Sequence, residues 1–88
     1  MNYRVSISYE AEKVLDRLDR PTEQRIRARL VQLAADPFDP RLSAPLTDRP
    51  GVRKSRLGGW RILFTLDRDA KALYVATVDT RGQVYKRS

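Results

Sequence analysis

The chain contains neither cysteine nor histidine. Without cysteine there is no disulfide framework and no thiolate metal site. Without histidine it lacks the usual general base near neutral pH and the commonest metal ligand. No apolar run approaches the ~18 residues of a membrane-spanning helix. The N-terminus, Met-Asn-Tyr-Arg-Val, does not have the pattern of a signal peptide. A soluble, cytoplasmic protein is therefore expected. Glycine is scarce, and Gly58-Gly59 lacks the strand–turn–helix context of a phosphate-cradling loop. Paired carboxylates for acid–base work are not evident: Asp67 and Asp69 read as turn residues, Asp16 and Asp19 as helix-end solvation. No metal or cofactor is expected. The 88 residues suit one small domain, 1–88, with no internal repeat.

What the chain has in excess is positive charge. Eighteen Lys and Arg stand against 11 Asp and Glu, a formal charge of +7, and arginine dominates the basic set. A small, strongly basic domain points to a polyanionic partner, most often nucleic acid. The plainer reading is charge that only opposes aggregation. The distribution of the charge bears on that choice. Residues 51–66, Gly-Val-Arg-Lys-Ser-Arg-Leu-Gly-Gly-Trp-Arg-Ile-Leu-Phe-Thr-Leu, read as a β-hairpin turning at Gly58-Gly59. That loop sets the register: Leu57 faces Trp60, Arg56 faces Arg61, Ser55 faces Ile62 and Lys54 faces Leu63. Side chains alternate along a strand, so Leu57, Trp60, Ile62, Phe64 and Leu66 form a core face, and Lys54, Arg56 and Arg61 lie on the other. Arg53 and Ser55 fall on the core face, against its character. No acid lies between Arg49 and Leu66. Two arginines directly opposite each other are destabilising, which suggests charges held ready for an anion.

The rest of the chain supplies the support. Tyr3, Val5 and Ile7 alternate with Arg4, Ser6 and Ser8, a strand. Ser8 is a good N-cap for a helix whose stripe is Ala11, Val14, Leu15 and Leu18, with Glu10 and Glu12 at its positive end. Pro21 suits the first turn of a second helix, with Ile26, Leu30, Leu33 and Ala34 as its buried stripe. Arg25, Arg27 and Arg29 lie off that stripe and read as a solvated face. Residues 36–50 carry four of the five prolines and read as loop, pinned by Leu42 and Leu46. Residues 67–71 form a polar turn, and 72–78 an apolar strand in the middle of the sheet. The expected class is α+β: a small antiparallel sheet of about four strands with an N-terminal helical hairpin on one face.

Beyond the last strand, Arg81 is placed to join Lys54, Arg56 and Arg61. Guanidinium forks suit phosphate oxygens, and several converging would stabilise the extra charge of a phosphorane-like transition state. Tyr85 stacks on a base, exchanges a proton with a ribose hydroxyl, or packs at the sheet edge; the residues alone leave all three open.

Over essentially all its length the chain resembles the RelE/ParE superfamily of bacterial type II toxins. The resemblance runs through Tyr-Arg-Val-Ser-Ile-Ser, Ala-Glu-Lys-Val-Leu-Asp-Arg-Leu, Pro-Thr-Glu-Gln-Arg-Ile, Asp-Pro-Phe-Asp-Pro, Leu-Gly-Gly-Trp-Arg-Ile-Leu-Phe and Val-Asp-Thr-Arg-Gly-Gln-Val-Tyr-Lys-Arg. It implies a toxin bound by a cognate antitoxin in a hetero-oligomer. In the RelE branch it further implies metal-independent cleavage of messenger RNA in the ribosomal A site, with the ribose 2′-hydroxyl as nucleophile. By position, the resemblance implies Lys54, Arg56, Arg61, Arg81 and Tyr85 as the catalytic set. Lys54, Arg56, Arg61, Arg81, Lys86 and Arg87 are then the RNA-binding set. Some relatives use a histidine as base, which this chain cannot. The sequence ends three residues past Tyr85, so the C-terminal helix of some members is not expected. The rival expectations are a ParE-like inhibitor of DNA gyrase and an RNA- or ribosome-binding module without chemistry.

Overall fold

A computed structural model describes residues 2–80. In chain order the elements are β1 (Arg4–Ile7), α1 (Tyr9–Asp16), α2 (Arg20–Ala35), β2 (Ala44–Pro45), β3 (Val52–Leu57), β4 (Trp60–Asp67) and β5 (Ala72–Thr80). The strands form one sheet in the order β1-β5-β4-β3-β2. The α+β class holds, with two corrections. The sheet has five strands rather than four, and it is mixed, because β1 pairs with β5 in parallel. The extra strand is the two-residue β2, inside the proline-rich segment read as loop. Pro45 is tolerated there because an edge strand does not need every backbone donor. The parallel pairing is closed at both ends by backbone bonds, Arg4 N–H to Lys71 C=O (2.7 Å) and Ser8 N–H to Val75 C=O (2.9 Å). No helix among the described residues is long and apolar enough to cross a membrane.

Both helices start where their capping chemistry requires. Ser8 Oγ accepts from Ala11 N–H at 3.0 Å and donates to Ala76 C=O in β5 at 2.8 Å. One hydroxyl thus caps α1 and ties it to the sheet. Asp19 caps α2, accepting from the Thr22 N–H and hydroxyl, with Pro21 in the first turn. These two bonds hold the Asp19 carboxyl below its ordinary value, the hydroxyl contributing most.

One face of the sheet carries the core. Ala11 and Leu15 of α1, and Ile26, Leu30 and Leu33 of α2, pack on Ile62 and Phe64 of β4 and on Leu73, Val75 and Val78 of β5. Leu57, Trp60 and Leu66 flank this cluster on the same side. The helices cover only this face. β5 has one irregularity that matters for the other. Leu63 pairs with Thr77 while Phe64 pairs with Val75, so Ala76 is left over as a β-bulge. Strict alternation from Val75 would put Thr77 and Asp79 on the core side. The bulge resets the phase: Val78 turns into the core, and Asp79 is delivered to the open face.

Candidate functional site

The hairpin forms in the register read from its loop: Leu57↔Trp60, Arg56↔Arg61, Ser55↔Ile62, Lys54↔Leu63. Gly58 sits at φ +61°, a left-handed conformation that favours glycine at the first loop position. The register places Lys54, Arg56 and Arg61 together on the open face. Two rows of partners cross that face: Ala44, Lys54, Leu63 and Thr77, then Arg56, Arg61 and Asp79.

The second row changes the electrostatics expected from the hairpin alone. Arg61 Nε donates to Asp79 Oδ1 at 3.2 Å, and Nη2 donates to Oδ2 at 3.4 Å. Side-chain exposures of 29% and 25% put this pair in partial shelter from solvent, where screening is weaker. The repulsion between Arg56 and Arg61 is therefore offset by an acid 18 residues downstream, brought there by the Ala76 bulge. Lys54 and Arg56 have no acid partner among the described residues. They line a shallow cleft of about 190 Å³ together with Pro40, Arg41, Leu42, Ser43 and Ala44. On its far wall Arg41 binds both carboxylate oxygens of Asp39, at 3.2 and 2.9 Å. That bond, with the charge attraction behind it, raises the Arg41 guanidinium above its usual range and lowers Asp39.

Beneath this face, β3 is held by polar contacts on its core side. Ser55 is fully buried, and its hydroxyl accepts from Arg29 Nη1 at 2.8 Å. The same nitrogen donates to the Arg56 carbonyl at 2.8 Å, while Arg29 Nε donates to Gln32. Arg53 donates to the Ser43 hydroxyl at 3.1 Å and stacks on Phe38, 4.9 Å from the ring centre. So the two polar residues on the core face each have a dedicated partner. Of the three α2 arginines read as a solvated face, Arg25 is exposed, whereas the reading is corrected for Arg27 and Arg29. Arg29 anchors β3, and Arg27 bridges Glu12 and Glu23 at 2.9 Å each, which raises its guanidinium above the usual range.

Of the site residues expected from sequence, the structure brings together Lys54, Arg56 and Arg61. Arg81, Tyr85, Lys86 and Arg87 lie outside the described residues. Sequence reasoning did not find Asp79, Arg29 and Arg41. Asp79 carries no local signal, since a bulge decides its face. Arg29 lies beside the Ile26–Leu30–Leu33 stripe rather than opposite it, and that position was a usable signal of contact with the sheet.

Comparison with known proteins agrees with this arrangement. Residues 5–85 match the family model of the ParE toxin of the parDE type II toxin–antitoxin system. No curated protein matches. Among solved structures, the RelBE2 toxin–antitoxin complex from Mycobacterium tuberculosis superposes with a TM-score of 0.79 at 24% identity, covering 91% of this chain and 92% of that one. The archaeal RelE–RelB complex from Pyrococcus horikoshii gives 0.76 at 24% identity, over 94% of this chain and 99% of that one. The isolated Escherichia coli RelE toxin gives 0.76 at 20% identity, over 97% and 93%. These structures are similar in fold, while the sequence match spans nearly the whole chain. The chain belongs to the ParE toxin family of type II toxin–antitoxin systems, within the RelE/ParE superfamily.

Proposed function

We propose that this toxin acts in the cytoplasm as a metal-independent endoribonuclease, cutting messenger RNA at the ribosome and held inactive by a cognate antitoxin. The observation that carries the reading is the open sheet face: Lys54, Arg56 and Arg61 converge there across one β3–β4 pairing, with no helix over them among the described residues. In this reading Arg61, joined by Arg81, binds the scissile phosphate and stabilises the charge it gains. Lys54 or Tyr85 accepts the 2′-hydroxyl proton. Arg56 or Lys54 stabilises or protonates the leaving 5′-oxygen. That the similar solved structures are RelE toxins, several with RelB bound, supports both the nuclease and the antitoxin partner.

Two observations favour a second reading, a ParE-like inhibitor of DNA gyrase. The family model that matches is ParE, and Asp79 already neutralises one of the three clustered cations. Primer extension on translated messages after expression of the toxin separates the two. Discrete cuts within codons support the nuclease. Intact message with induced DNA damage supports the gyrase inhibitor, and intact message with stalled translation supports a binder without chemistry.

A further inference from the structure

We infer that Arg29, on α2, is a positioning residue for the ribonuclease: it clamps the free edge of β3 and so fixes where Arg56 stands against Arg61. The inference deepens the ribonuclease reading and rests on it. The first observation is where the sheet leaves β3 unsupported. β2 pairs only with Arg53 and Lys54. From Ser55 to Leu57, β3 therefore has β4 on one side and no strand on the other among the described residues. This is the stretch in which Arg56 faces Arg61. Like charges directly opposite push the two strands apart, and an unpaired edge has no ladder of its own to resist them. Arg61 is held from its far side by Asp79 on β5. Arg56 has no acid partner among the described residues, so its position depends on its backbone.

The second observation is the geometry of the clamp. Arg29 Nη1 carries two protons, and it serves two acceptors, the Ser55 hydroxyl and the Arg56 carbonyl, each at 2.8 Å. Ser55 points into the core and Arg56 out of it, so one nitrogen holds two consecutive residues from beneath. Arg29 Nε donates to Gln32 Oε1 at 3.1 Å, which fixes the plane of the guanidinium on its own helix. The carbonyl and the side chain of Arg56 share one Cα, so holding the first constrains the direction of the second. One turn earlier on α2, Arg25 lies beside the hairpin loop: a Cβ at Gly58 would stand 3.6 Å from its Nη2. α2 thus runs along the hairpin from its tip to Ser55.

The third observation is the choice of chemistry. All three acceptors of Arg29 are neutral, and no acid pairs with it among the described residues. For stability alone, apolar partners of the same shape would serve as well. What a directional polar contact adds is one defined position for the strand, and catalysis is sensitive to displacements of about 1 Å.

The test combines single-turnover cleavage of messages on programmed ribosomes with hydrogen exchange of the purified toxin. R29Q should lower the rate at saturating toxin by about tenfold to a hundredfold, while the toxin concentration at half-saturation stays within about twofold of wild type. R29K keeps the charge but not the fork, so it should fall with R29Q. In an R56A background, R29Q should cause no further loss, because it acts through Arg56. Amides of residues 55–57 should exchange faster in R29Q and R29K while α2 and β5 stay protected. Where R29Q does not fold, R29K decides by the same readings. A lower melting temperature with an unchanged saturating rate would make Arg29 merely structural and overturn the inference. So would a further loss on top of R56A, unchanged exchange at 55–57, or R29K equal to wild type. Wild type that leaves messages intact would overturn the ribonuclease reading and this inference with it. Wild type that cuts, with R29Q cutting as fast, would overturn this inference alone.

Discussion

Replacing Arg61 by alanine sets two opposed effects against each other. It relieves the repulsion with Arg56, worth about 0.2–1 kcal/mol for directly opposed like charges. It also removes the two bonds to Asp79, at 3.2 and 3.4 Å. Hydrogen bonds to charged groups contribute about 1.5–3 kcal/mol, and these lie at the long end of useful geometry, so the lower part of that range applies. Partial exposure of both side chains discounts it further. The net effect is a loss of about 1–2 kcal/mol. At roughly 4–8 °C per kcal/mol for a domain of this size, the melting temperature should fall by about 4–16 °C. Asp79→Ala should cost at least as much, because it leaves Arg56 and Arg61 opposed with no acid between them. The assay is reversible denaturation of wild type, both single variants and the double variant. The double variant should be less destabilised than the sum of the singles by about 1 kcal/mol. Additivity within ~0.5 kcal/mol, or an Arg61→Ala protein more stable than wild type, would refute the pairing and return Arg61 to the uncompensated state expected from the hairpin alone.

Ser8→Ala loses both an N-cap and the tie to Ala76, so it should cost about 1–2 kcal/mol and expose the α1 amides; hydrogen exchange confined to α2 would contradict this. Asp19 and Asp39 titrate below the ordinary carboxylate value of 3.8 in the folded chain. The stability they contribute is therefore complete above that value and lost as pH falls through their lowered folded values. Asp19→Asn with Asp39→Asn should flatten the acid limb of the melting curve; an unchanged limb would show that other carboxylates set it. Cleavage should persist in EDTA, since the chain has no cysteine or histidine and no cluster of carboxylates among the described residues to hold a metal. Loss restored by added magnesium, with ribosome integrity held constant, would contradict the mechanism.

The features legible in the sequence are those decided over short spans. Ser8 and Asp19–Pro21 announce helix starts because capping is chemistry within one turn. The Gly58-Gly59 loop sets the β3–β4 register because the loop leaves one pairing open. The features that escaped are long-range. A four-residue alternation in β1 says which residues face the core, and nothing about whether the neighbouring strand runs parallel. The two-residue β2 is too short to stand out among four prolines. Asp79 belongs to the open face only because Ala76 bulges, and the apolar run 72–78 hides that phase change. Arg29 reaches Ser55 across 26 residues, so Ser55 looked misplaced on a core face where it is in fact satisfied.

The proposed ribonuclease activity requires the substrate's own 2′-hydroxyl to attack a phosphate held on the open sheet face. The most direct measurement programmes purified ribosomes with a message carrying a single 2′-deoxyribose at the mapped cut site, then compares cleavage and toxin binding with the all-ribose message. Cleavage should stop while binding is nearly unchanged, because affinity comes chiefly from phosphate contacts, and the all-ribose product should end in a 2′,3′-cyclic phosphate or a phosphate derived from it. Equal cleavage of the two messages would contradict it, as would an all-ribose message that stays intact while gyrase supercoiling is inhibited.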